Sequence, residues 1–110
     1  MLKLTTKGRR SGKPRAILLY YFTPQENPVV IASNAGSDRH PAWYLNLQSD
    51  PDVDVQIGSR KFRAAARIAL ADEREKLRSE IGAQEGSYNE YQKRTKRQIP
   101  VVILEPVGEG

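Results

Sequence analysis

Short apolar segments separated by polar turns run along most of the chain, which is the pattern of a small β protein. Six segments have the length and the apolar, β-branched or alternating composition of strands: residues 2–6, 16–22, 29–33, 53–57, 61–70 and 99–104. The second segment is dense in apolar and aromatic residues, so we expect a buried strand there. Pro100 in the last segment indicates a sheet edge or the start of a strand.

Three segments have helical patterns. Residues 42–48 follow Pro41, which suits the first position of a helix. Residues 71–83 predict a charged helix with Leu77 and Ile81 on its inner face and its charged side chains in solvent. The sequence Ser-Tyr-Asn-Glu from residue 87 has capping-box spacing and predicts a third helix. With so few helical crossovers, we expect a mainly β (α+β) fold, a small antiparallel barrel rather than a doubly wound parallel sheet.

Length and composition narrow the classes of function. The 110 residues, 38% of them hydrophobic, suit a single domain over residues 1–110 with one core, and residues 107–110 should fray. With no cysteine and only one histidine, His40, neither a thiolate nor a histidine-rich metal site is expected. The chain has no apolar run of about 18 residues and no signal-peptide pattern, so we expect no membrane-spanning segment and a cytoplasmic location.

The net charge of +5 equals the charge of one loop, residues 5–15, in which two glycines are interspersed with basic side chains and no acidic residue occurs: Lys7, Arg9, Arg10, Lys13 and Arg15. Such a loop suits an anion with several oxygens, most simply a phosphate. The alternative is a solvated hairpin tip. A second basic cluster at residues 93–97 is expected to be a solvated surface, although it could extend the positive field of the first loop.

Three motifs carry a resemblance to a known family. Residues 4–15 (LTTKGRRSGKPR), 32–47 (ASNAGSDRHPAWYLNL), and 88–92 followed by 99–106 resemble, in order and spacing, the signatures of the deazaflavin-dependent nitroreductase family. The resemblance implies a six-stranded antiparallel split β-barrel of the flavin-reductase and pyridoxamine-oxidase type. It also implies an oxidoreductase that transfers a hydride from reduced coenzyme F420, an 8-hydroxy-5-deazaflavin with a polyglutamate tail, to a quinone, an enone or a nitro compound. The sequence itself has no nucleophile–base set, which agrees with chemistry supplied by a cofactor.

The resemblance also implies roles for individual residues. Catalytic roles near the acceptor fall to three hydroxyl groups: Tyr20, Ser33 and Tyr88. Cofactor-binding roles fall to a larger set: Arg9, Arg10, Ser11, Arg15, Ala16, Ile17, Leu18, Leu19, Tyr20, Ile31, Ala32, Ser33, Asn34, Ala42, Trp43, Tyr44, Leu45, Asn46 and Tyr88. Glu85 stands where some members have a tyrosine of the substrate pocket, so the substrate preference of those members does not carry over. The chain begins in its first strand without the helical extension that members often have, so we expect a more open substrate pocket. His40 is expected at the helix start or surface.

Other functions remain open at this point. A flavin mononucleotide-binding reductase or a non-catalytic deazaflavin-binding protein would use the same barrel and phosphate loop. A nucleic-acid-binding barrel would stack bases on Tyr20, Tyr21 and Trp43, but these aromatics lie in apolar runs that predict a core. We expect a small-molecule electron acceptor, no nucleic acid, and either a monomer or a homodimer.

Overall fold

The computed structural model describes residues 1–107, which form six strands and three helices. The strands are β1 (Leu2–Lys7), β2 (Pro14–Leu19), β3 (Val29–Ile31), β4 (Asp52–Ile57), β5 (Arg60–Ile68) and β6 (Val101–Pro106). The helices are α1 (Ala42–Ser49), α2 (Ala71–Gln84) and α3 (Ser87–Lys93). All strands belong to one sheet in the order β2-β1-β4-β5-β6-β3, with antiparallel pairing throughout. The predicted number and type of elements are confirmed.

The two ends of the sheet approach each other beyond β2. Phe22 donates its N–H to the carbonyl of Val29 at 2.9 Å, and Val29 returns a hydrogen bond to Phe22 at 2.7 Å. The chain that leaves one edge strand therefore pairs with the other edge strand. This pairing curls the sheet into the expected split β-barrel, because closure of a twisted sheet brings its edges together.

The core has two parts, which lie on opposite faces of β6. Val102 and Leu104 belong to a cluster inside the barrel with α1, while Val101 and Ile103 belong to a second cluster beneath α2. Because successive side chains of a strand point to opposite faces, β6 is buried on both sides. Pro100 therefore marks the start of an interior strand and not a sheet edge. Leu77 and Ile81 face the second cluster as predicted.

The prediction of a buried second strand is wrong. Ile17 is 40%, Leu18 61% and Tyr20 70% exposed, and β2 runs from Pro14 to Leu19, so it also starts and ends earlier than expected. β2 pairs only with β1 and forms the edge of the sheet, where a proline at the first position is tolerated. The apolar run borders an open cavity, which composition alone cannot distinguish from a core.

Helix details differ from the expectations in three places. Pro41 precedes α1 as its cap, one position earlier than predicted. α3 begins at Ser87, but Gly86 is its cap and no side chain completes a capping box. On α2, Arg74 is only 5% exposed and donates to the carbonyl of Ile99 at 2.7 Å, so this charge is not part of the solvated face.

Within residues 1–107, no helix is long and apolar enough to cross a membrane. The segment expected to fray lies, from residue 108 onward, outside the described residues.

Candidate functional site

The basic loop is the tip of the hairpin between β1 and β2, and its backbone is tightly closed. Gly8 donates to the carbonyl of Lys13 and Gly12 donates to that of Gly8, both at 2.8 Å. A Cβ on Gly8 would lie 2.7 Å from Ser11 Oγ, and Gly12 has a φ of +73°. The conformation of Gly12 therefore favours glycine, whereas a side chain at Gly8 would displace the Ser11 hydroxyl and press on the Lys13 carbonyl at 3.2 Å. The loop is a hairpin tip, as the alternative supposed, but its side chains also form the wall of a cavity.

Asn46 on α1 fixes this loop from the side. Its Oδ1 accepts hydrogen bonds from the backbone N–H of Arg9 at 3.2 Å and from Arg9 Nη1 at 3.3 Å. Its Nδ2 donates to Thr6 Oγ1 at 3.1 Å, and both Asn46 and Thr6 are buried. The amide thus both accepts and donates within the protein, and it connects α1, β1 and the loop.

The larger cavity of the site, about 660 Å³, lies between the loop, β2, the start of α1 and the turn after β3. Its wall is formed by Gly8, Arg9, Arg10, Ser11, Arg15, Ala16, Ile17, Asn34, Arg39, His40, Pro41, Ala42, Trp43 and Asn46. Four of these residues are arginines and none is acidic. Among residues 1–107, none of the four forms an ion pair with a carboxylate. This donor set fits the phosphate and acidic tail of a deazaflavin cofactor, and the volume is that of a ligand site.

The turn after β3 has a strained backbone. Asn34, Ala35 and Gly36 have φ values of 46°, 54° and 80°, so three consecutive residues are left-handed. Non-glycine residues adopt this conformation at a cost, and such strain persists only where surrounding contacts enforce it. A Cβ on Gly36 would lie 3.0 Å from Arg94 Cδ, so the turn also packs closely against the chain after α3.

Arg97 enforces this turn. Its Nη1 donates to the carbonyl of Ala32 at 3.2 Å, its Nη2 to Ser33 at 2.8 Å and its Nε to Ser37 at 2.8 Å. The neighbouring Thr95 is buried and donates to Asp38 Oδ1 at 2.7 Å. The expectation of a solvated surface at residues 93–97 is therefore wrong for these two residues, because the segment packs over the second motif.

His40 is also held by Arg97 and is not a simple surface residue. Its Nδ1 lies 3.1 Å from Arg97 Nη1, and its ring centroid is 4.8 Å from that of Tyr44. Burial, and then the Arg97 charge, lower the pKa of His40 below its usual 6.5. The imidazole is therefore neutral at physiological pH, in the wall of the larger cavity.

A smaller cavity of about 360 Å³ adjoins the same turn. Aromatic side chains dominate its wall, which comprises Tyr20, Tyr21, Phe22, Ser33, Ala35, Glu85, Ser87, Tyr88 and Tyr91. The three residues with predicted catalytic roles, Tyr20, Ser33 and Tyr88, are brought together here. The Tyr88 ring makes edge contacts with Phe22 at 5.6 Å and Tyr91 at 5.9 Å. Burial, followed by the nearby Glu85 carboxylate, raises the pKa of Tyr88, so its phenol remains protonated.

The two cavities account for most of the predicted site residues. Six predicted cofactor residues line neither cavity: Leu18, Leu19, Ile31, Ala32, Tyr44 and Leu45. Sequence reasoning missed Arg39, His40 and Arg97. The first two directly precede Pro41 inside the second motif, which was a usable signal. Arg97 had no such signal, because its carbonyl partners lie 60 to 65 residues earlier in the chain.

Comparison with known proteins identifies the family. The family model for F420H(2)-dependent quinone reductases matches residues 1–106. Rv3178 of Mycobacterium tuberculosis, named provisionally for that activity, is 38% identical over 105 residues, which cover 96% of this chain and 88% of the relative.

Solved structures agree with this match. An F420H2-dependent reductase of type FDR-A superposes with a TM-score of 0.85 at 35% identity, over 94% of this chain and 92% of that one. A chain from a structure described as a domain-swapped dimer gives the same score and identity, over 94% and 78%. A pyridoxamine 5'-phosphate oxidase-type protein of Listeria innocua, 13% identical, shares only the fold, with a TM-score of 0.65 over 97% and 83%. The chain belongs to the F420H(2)-dependent quinone reductase family.

Proposed function

We propose that this protein reduces a quinone with reduced coenzyme F420, which binds in the larger cavity while the quinone enters the smaller one. The observation that carries the proposal is a set of four arginines that, within residues 1–107, have no carboxylate partner and that line a cavity with no acidic residue among its described wall residues. Arginine forks bind phosphate and carboxylate oxygens in pairs, so this wall suits a ligand with several negative charges.

The residues of the larger cavity would bind and orient the cofactor. Arg9, Arg10, Ser11 and Arg15 are in position to hold its phosphate and acidic tail, with Arg9 kept in place by Asn46. Ile17 and Trp43 provide apolar surface further along the same wall. When bound, the cofactor supplies the hydride.

The residues of the smaller cavity would orient the acceptor and supply a proton. Reduction of a quinone to a quinol takes up one hydride and one proton. Tyr88 holds a proton on its phenol oxygen at physiological pH, so it can donate a hydrogen bond to the quinone oxygen on which charge develops during hydride transfer. The hydroxyls of Tyr20 and Ser33 border the same space and could hydrogen-bond a quinone carbonyl. Ser33 and Asn34 are adjacent in sequence and line different cavities, so the two cavities adjoin at this turn. Hydride transfer would require the cofactor ring and the quinone to be in contact there.

The alternatives fit less well. Flavin mononucleotide carries a single phosphate, which would leave most of the four arginines without a partner. A nucleic-acid platform needs exposed aromatics in a row, but Trp43 is only 6% exposed, and Tyr20 alone is strongly exposed among the three candidates. A non-catalytic carrier would not need three hydroxyls in the second cavity. A cytoplasmic location and the choice between monomer and homodimer stay predictions.

Two measurements test the proposal. In a fluorescence titration we expect coenzyme F420 to bind with a Kd below about 100 µM, an affinity of about 5–6 kcal/mol, and flavin mononucleotide to bind more weakly. With reduced F420 and a quinone such as menadione, we expect consumption of the reduced cofactor that depends on the protein. Absent F420 binding would refute the function, and binding without turnover would favour the carrier.

A further inference from the structure

Arg97 makes several contacts with the second motif, residues 32–47, which the sequence pattern did not predict. Its guanidinium reaches three backbone carbonyls, those of Ala32, Ser33 and Ser37, and also the imidazole of His40. These four partners surround the left-handed turn that separates the two cavities. A planar fork of donors can satisfy such a set, whereas a lysine ammonium has fewer donors and no fixed plane.

The contact between Arg97 and His40 determines where the imidazole carries its proton. A guanidinium can only donate, so Nδ1 of His40, 3.1 Å from Arg97 Nη1, must be the acceptor. A neutral imidazole then carries its hydrogen on Nε2. The Tyr44 ring packs against His40 at 4.8 Å and further restricts its rotation. Nε2–H is the polar group that His40 has left to offer to the cavity that it lines.

We infer that His40 is a cofactor-binding residue that donates a hydrogen bond from Nε2 to an oxygen of the deazaflavin cofactor, and that Arg97 is its positioning residue. Arg97 positions His40 by fixing the tautomer of its imidazole and by holding the strained turn beside it. This inference rests on the proposed function, because it takes the larger cavity as the cofactor site.

The charged groups around His40 favour this arrangement. Burial and then the Arg97 charge oppose protonation of the ring by lowering the pKa of His40, and burial raises the pKa of Tyr44, whose phenol stays neutral. Asp38, the nearest carboxylate along the chain, accepts the hydroxyl hydrogen of Thr95. A neutral donor at Nε2 is therefore maintained over the physiological pH range.

The first test uses nitrogen NMR of the imidazole in the free protein, where the single histidine makes the signal unambiguous. We expect the Nε2–H tautomer and a pKa below 6.5 in the wild type. In Arg97→Lys we expect mixed tautomers and a pKa closer to 6.5, while Lys96→Gln, an exposed charge in the same segment, should leave both unchanged. A wild-type Nδ1–H tautomer, or an unaffected imidazole in Arg97→Lys, would overturn the inference.

The second test is F420 binding by His40 variants. His40→Gln keeps an N–H donor near the position of Nε2, and His40→Phe keeps a ring without a donor. We expect His40→Phe to weaken F420 binding about five- to tenfold and His40→Gln to weaken it no more than about twofold. If His40→Phe and the wild type bind F420 with equal affinity, the inferred role of His40 is refuted while the proposed function stands. Loss of F420 binding by the wild type itself would instead refute the proposed function.

Discussion

Replacing Asn46 by alanine tests whether the loop is held by this single buried amide. The substitution removes three hydrogen bonds at once, two from Arg9 and one to Thr6. Thr6 is 2% exposed, so its Oγ1 loses a partner that water cannot easily replace. Net contributions of about 0.5–1.5 kcal/mol per bond, reduced for the two bonds from the exposed Arg9, sum to about 2 kcal/mol. In a domain of this size that loss lowers Tm by about 10 °C.

The same substitution should weaken cofactor binding, since Arg9 would no longer be oriented toward the cavity. Loss of one preorganised charge contact corresponds to about a five- to tenfold increase in the Kd for F420. Thr6→Val provides the matched control. It breaks only the bond to Asn46 and leaves both Arg9 contacts in place, so we expect a loss of about 1 kcal/mol in stability and unchanged F420 affinity.

Urea denaturation and fluorescence titration of the two variants measure these effects separately. If Asn46→Ala loses less than about 0.5 kcal/mol in unfolding free energy, the amide does not hold the loop. If Thr6→Val weakens F420 binding as much as Asn46→Ala does, the effect on binding comes from general loosening of the fold and not from Arg9.

Three further predictions follow from the same geometry. Arg15→Ala should weaken F420 binding several-fold, more at low salt, whereas Arg63→Ala on the outer face of the sheet should not; equal effects would make the interaction non-specific. Tyr88→Phe should slow steady-state turnover more than it weakens F420 binding, and the reverse result would assign Tyr88 to the cofactor. Because folding lowers the pKa of His40, the unfolded state binds more protons than the folded state below about pH 6.5. The free energy of unfolding, measured by urea denaturation, should therefore fall more for the wild type than for His40→Gln between pH 7 and 5.5.

Much of the fold was predictable from local pattern. The alternation in β4, the β-branched residues of β3 and the spacing of Leu77 and Ile81 on α2 each depend on neighbours along the chain, and each prediction is confirmed. The failure at β2 has a different cause. An apolar run shows that a segment avoids water, but not whether a core or a ligand cavity covers it. Ile17 is exposed in β2, a strand at the edge of the sheet, and Tyr20 is exposed directly after it.

The sequence motifs predicted most of the residues that line the candidate site. The basic loop, the start of α1, Ser33 and Tyr88 lie in the motifs at residues 4–15, 32–47 and 88–92, and Tyr20 was assigned by the same resemblance. The structure gathers them around two neighbouring cavities. Arg97 was misassigned because an arginine among other basic residues looks solvated until its partners are known. Those partners are backbone carbonyls, which leave no trace in side-chain composition. The lowered pKa of His40 likewise depends on its burial in the fold and then on the long-range contact with Arg97.

The most direct test of the account is a map of F420 binding by backbone amide NMR on the 110-residue chain. The account predicts that the largest shifts cluster at Arg9, Arg15, Asn34, His40 and Trp43 in the wall of the larger cavity. The outer groove of about 400 Å³, lined by residues such as Lys3, Gln56 and Lys61, provides an internal comparison, since it also carries exposed cations. Shifts centred on that groove, with the larger cavity unperturbed, would contradict the assignment of the arginine-lined cavity to the cofactor.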